Sequence, residues 1–141
     1  MRRARLALLG GGLLALVAGA GLWQSREARW QGPLYCLQAP GQVWAAAPVP
    51  SGVTPVCPAS HTVRAEVRRG ETRIEQYELP GWQPAPVLGA LTAAGYRVVS
   101  RIPDDGVQEA AVLSRGRERL TYVADRMNGQ TLVSLTTRGG P

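Results

Sequence analysis

Beyond residue 60 the chain alternates apolar and polar side chains in short runs broken by glycine and proline. Val63, Ala65 and Val67 alternate across residues 61–69, and residues 71–79 follow after Gly70, a pattern that predicts a β-hairpin. Pro80, Gly81, Pro84 and Pro86 close the second strand. Val87, Leu88, Leu91 and Ala94 then recur at helical spacing, with Pro86 fitted to the first turn and Gly95 to the C-terminal end. Strand patterning returns in residues 96–102, where Tyr96, Val98 and Ile102 lead. It continues in 107–114, in 117–126 with Leu120, Tyr122 and Ala124 on one face, and in 130–137. Turn chemistry separates these strands at Pro103-Asp104-Asp105-Gly106, at Arg115-Gly116 and at Asn128-Gly129, the last favouring a type I′ turn. The expected fold is therefore α+β. A small antiparallel sheet of about five to six strands, in the order ββαββββ, packs on one short helix across residues 61–138.

The first residues follow a different rule. Arg2, Arg3 and Arg5 precede residues 6–20, which are apolar or small throughout. Such a segment holds its positive end in the cytoplasm while the apolar run enters the bilayer. Ala18-Gly19-Ala20 has the small-x-small pattern of a signal-peptidase site, with the cut expected before Gly21. The alternative is a permanent anchor to about Trp23. Residues 6–23 would form about 27 Å of helix at about 1.5 Å per residue, close to a hydrocarbon core of about 30 Å. Trp23 and Trp30 with Arg26 and Arg29 would then hold the outer interface. Either way the chain is expected to be exported. It would reside in the periplasm or outside the cell, free or tethered to the cytoplasmic membrane by a single N-terminal helix.

Residues 21–60 read as a Pro-rich segment stapled by Cys36 and Cys57, the only two cysteines. In an oxidising compartment such a pair is expected as a disulfide, and its spacing suits neither CxxC redox chemistry nor zinc. Pro40, Pro48, Pro50 and Pro55 lie between them and restrict any strand to short pieces. Trp44 on this loop either plugs the domain's own core or meets a partner, and Trp82 is the second aromatic candidate for a partner contact.

Composition sharpens the partner class. All 16 basic residues are arginine, and the formal net charge is +6. Removing residues 1–20 leaves 13 arginines against 10 acidic residues. The remaining arginines interleave with glutamate, as in Arg64-Ala65-Glu66 and Arg117-Glu118-Arg119, so no basic block forms and nucleic acid is not an expected partner. His61 is the only histidine, no GxSxG elbow is present, and Asp104-Asp105 before Gly106 suits a turn better than a calcium loop. No cofactor or metal is expected. The leading expectation is a non-enzymatic envelope protein that contacts a protein or cell-wall component through a sheet edge or the Cys36–Cys57 loop. One alternative is a membrane-tethered accessory subunit of a secretion, pilus or division complex. The other is a hydrolase or ligand-binding enzyme with dispersed residues, using His61 or the Asp104-Asp105 turn.

Overall fold

The computed structural model describes residues 19–25 and 27–138. The chain divides into two units, Met1–Gly32 and Pro33–Pro141. In the first, residues 19–25 and 27–31 are helical. Most of the expected export segment, residues 1–18, lies outside the described residues. Among the described residues no helix is long and apolar enough to cross a membrane.

The second unit is an α+β domain built on a six-stranded antiparallel sheet. In chain order its elements are β1 (Gln42–Val43), β2 (Ala47–Pro48), β3 (Thr54–Val56), α1 (His61–Arg69), β4 (Thr72–Pro80), α2 (Ala85–Ala93), β5 (Arg97–Ile102), β6 (Gln108–Arg115), β7 (Glu118–Met127) and β8 (Gln130–Arg138). The large sheet runs β3-β4-β8-β7-β6-β5, and β1 pairs with β2 separately.

Residues 61–69 are helical rather than a strand. Val63 and Val67 satisfy the i, i+4 spacing of a helix as well as the alternation of a strand, and the two ends decide between them. Ser60 caps the N-terminus, its Oγ accepting the Val63 N–H at 3.4 Å. Gly70 takes the left-handed conformation at φ 74°, and its N–H and that of Glu71 close back on carbonyls of the last turn. Arg68 and Arg69 in that turn complement the helix dipole. The element order thus differs from ββαββββ at its start. β4 does not pair with residues 61–69 but lies between β3 and β8. The sixth strand, β3, comes from the Pro-rich segment, where Pro55 is tolerated because β3 is an edge.

The sequence turns behave as their chemistry dictates. Asn128 and Gly129 both take positive φ, 51° and 77°, as a two-residue type I′ turn requires. Pro86 sits in the first turn of α2, and Gly95 follows its last residues at φ 93°.

Register places one residue set on a single face. Glu75, Tyr77 and Leu79 of β4 align with Leu135, Val133 and Thr131 of β8. Tyr122 and Ala124 of β7 align with the same Leu135 and Val133, and Ala111 and Leu113 of β6 continue the rows. All are buried. Val87, Leu88 and Leu91 of α2 join this core, as do Tyr35, Leu37, Val43, Trp44, Ala47 and Val53 from the segment before β4. That Pro-rich segment therefore supplies core side chains, and Cys36 and Cys57 form the disulfide that closes it.

All four tyrosines of the chain are bound into this packing. Burial raises the hydroxyl pKa of Tyr35, Tyr77, Tyr96 and Tyr122 above the ordinary value. The carboxylates of Glu75, Glu118 and Glu109 push in the same direction at Tyr77, Tyr96 and Tyr122 respectively. An acid whose folded pKa exceeds its unfolded value, about 10 for tyrosine, contributes stability that is complete below that pH. The contribution is lost as pH rises through and beyond it. Absorbance at 295 nm should therefore show no tyrosinate forming near pH 10 while the far-ultraviolet dichroism is native. Ionisation should coincide with alkaline unfolding. Free titration of the tyrosines near pH 10 in a folded chain would contradict this burial.

Candidate interaction surface

The sheet leaves β5 as an edge, hydrogen-bonded to β6 on one side only. Every residue of β5 is exposed. Val98, Val99 and Ile102 are large apolar side chains among them. The register shifts between Val98 and Ser100, a bulge that bends the edge at Val99. Arg101 on this strand reaches the buried Glu109 carboxylate as an ion pair. Arg97 makes no ion pair among the described residues.

Several turns converge at the end of the sheet where β5 finishes. Gly81 N–H donates to the Gly129 carbonyl at 3.1 Å, and Arg126 N–H donates to the Val107 carbonyl at 2.8 Å. Trp82, half-buried, donates its indole N–H to both oxygens of Asp104 at 3.0 and 3.1 Å. Asp104 also accepts the Gly106 N–H at 2.7 Å. Asp105 accepts the N–H groups of Val107 and Gln108 at 2.9 and 2.8 Å. The Gln108 and Val107 N–H donors hold the Asp105 carboxyl below the usual carboxylate range. This acidic pair is thus committed to shaping its own turn and steadying Trp82. Ile102, Val107 and Met127 lie at the same end, each more than half exposed. Trp82 is thus held by a carboxylate at the end of the sheet that also carries these exposed aliphatic side chains.

No family model, no curated protein and no solved structure matches the chain. The geometry itself must carry the functional reading.

Trp44, the other aromatic candidate, is turned inward and only 1% exposed. It occupies the β1–β2 turn with Ala45, both at positive φ (55° and 52°), a conformation that glycine and asparagine adopt far more readily. Two glutamates hold it there. Glu75, fully buried, accepts the Trp44 backbone N–H at 2.6 Å, the Tyr77 hydroxyl at 2.7 Å and an Arg73 guanidinium N–H at 3.1 Å. Glu118 accepts the Trp44 indole N–H at 2.7 Å and the Tyr96 hydroxyl at 2.6 Å. Arg73 stacks 3.8 Å from the Trp44 ring centroid, and Arg115 lies 4.4 Å from that of Tyr96. Trp44 therefore seals the core and offers no surface to a partner. Nothing local in the sequence marked Glu75 or Glu118 as its anchors.

The remaining candidates are scattered. His61 is the exposed first residue of α1, and Asp104 and Asp105 belong to the turn beyond β5. Among the described residues, no group of three or more His, Cys, Asp or Glu side chains is arranged to hold a metal ion.

Proposed function

We propose that this chain is an exported, non-enzymatic binding protein that takes an extended segment of a partner protein along β5, with Trp82 as the anchor at the end of that strand. One observation carries the reading: a six-residue edge strand exposed over its whole length, with Val98, Val99 and Ile102 uncovered. Free backbone N–H and C=O groups on an edge are matched by another backbone, so the fitting occupant is an added strand. Apolar side chains on that strand would cover Val99 and Ile102, and an acidic one would meet Arg97. The bulge at Val99 favours a bounded contact over open-ended stacking of copies. The Cys36–Cys57 disulfide suggests an oxidising location outside the cytoplasm. The finer address is part of the proposal: the periplasm or beyond, with the N-terminal segment either removed or kept as a tether.

Envelope extracts passed over the wild-type chain and over a Val99→Glu/Ile102→Glu variant test this. Both positions are exposed, so each substitution should change the stability by no more than about 0.5 kcal/mol. The expected result is a specific partner retained by the wild type and weakened at least ten-fold by the variant, with Trp82→Ala weakening it too. Equal capture by wild type and variant sinks the reading. So does a wild-type chain that is itself a dimer and becomes monomeric in the variant, because the edge would then belong to a second copy.

A further inference from the structure

The opposite face of the sheet carries a second feature, independent of the β5 edge. Because Leu120 and Leu135 point to the core, Arg119, Thr121, Thr136 and Arg138 point away from it. Thr121 pairs with Thr136 at the end of the β7–β8 ladder, and Arg119 and Arg138 lie two residues beyond that pair on their strands. Ser114 flanks Arg119 on β6, and Thr72 flanks Arg138 on β4. The next row reads Val112, Thr121, Thr136 and Ile74. Arg119, Arg138, Thr121, Thr136 and Val112 line a concavity of 510 Å³.

Like charges on neighbouring strands repel where they come close. No acid compensates this pair among the described residues. Glu118 faces the core side with Trp44 and Tyr96, and Glu71 is held by Arg69 at 2.6 and 2.8 Å. Glu78 and Asp125 occupy this face three rows away, roughly 20 Å along the strands. Among the described residues the face is thus polarised, with two arginines and no facing acid at one end of a hydroxyl-bearing trough.

We propose that this face binds a phosphoryl oxyanion between Arg119 and Arg138. A planar guanidinium offers paired N–H donors that match phosphoryl oxygens, and two of them match the charge of about −1.5 to −2 on a phosphomonoester near neutral pH. Thr121 and Thr136 supply hydroxyls to the group that carries it.

Calorimetric titration of the full chain with inorganic phosphate, against chloride at equal ionic strength, is the test. Saturable binding of phosphate is expected, weakened at least ten-fold in Arg119→Gln/Arg138→Gln. That variant should melt no lower than wild type, since it removes a repulsion. If it fails to fold, Arg138→Gln alone is expected to weaken binding several-fold. Dimethyl phosphate in place of phosphate separates the sources: equal affinity points to a diester linkage, and weaker affinity to a terminal phosphate. Identical responses to phosphate and chloride would overturn the site, as would a folded variant that binds phosphate like the wild type.

Discussion

Replacing Trp44 with alanine is expected to lower the stability of the domain by about 3–5 kcal/mol, the range for deleting a large buried aromatic. The side chain is 1% exposed and closes the core beneath the β1–β2 turn. Its loss also strips Glu118 of the indole donor and Arg73 of its stacking partner. Alanine inherits the same left-handed backbone at this position, so no strain is relieved in exchange. A small domain has about 5–15 kcal/mol in all, so the variant should sit close to unfolding. Denaturant titration reads this as a shift in midpoint at unchanged slope. Trp44→Phe keeps an aromatic face for Arg73 while removing the hydrogen bond to Glu118 and the volume of one ring, so it should cost about 1–3 kcal/mol, less than alanine. A loss below 1 kcal/mol in Trp44→Ala would show that the turn is not seated as described.

The second large effect is expected from the disulfide. Cys36 and Cys57 enclose 20 residues, and on the chain-entropy model a loop of that length contributes about 3 kcal/mol. The enclosed segment carries Leu37, Val43, Trp44, Ala47 and Val53 into the core, so opening the loop loosens an entire wall of it. A Cys36→Ala/Cys57→Ala variant should unfold at lower denaturant by that amount. Combined with Trp44→Ala, the losses should fall short of additive, because both act on docking of the same segment. Stability within 1 kcal/mol of the oxidised chain would mean that the side-chain contacts alone hold the loop.

How much of this was legible follows from how local each signal is. Asn128-Gly129, Pro86 and Gly95 act through their own backbone angles, and they appear where the pattern placed them. The strands that follow α2 were equally readable, with boundaries shifted by a residue or so. His61–Arg69 was not, because Val63, Ala65 and Val67 fit two periods, and only the flanking Ser60 and Gly70 resolve them. The burial of Trp44 was less legible still. Its anchors stand 31 and 74 positions away, a separation no local pattern encodes. The same holds for the β5 edge, which stays open only because β4 pairs with β8. Arg119 and Arg138 are instead brought to one end of the sheet by the local β7–β8 hairpin.

That pairing also governs when the domain can form. β8 is the last of the described strands yet lies inside the sheet, bonded to β4 on one side and β7 on the other. A polypeptide that emerges N-terminus first exposes Trp44, Glu75 and Tyr77 well before residues 130–138 arrive. Until then β4 has only the three-residue β3 beside it. β5, β6 and β7 can meander together early through short turns, but closing β4 onto β8 spans about fifty residues and is the slow, entropically opposed step. The domain is therefore held open until its final strand is delivered.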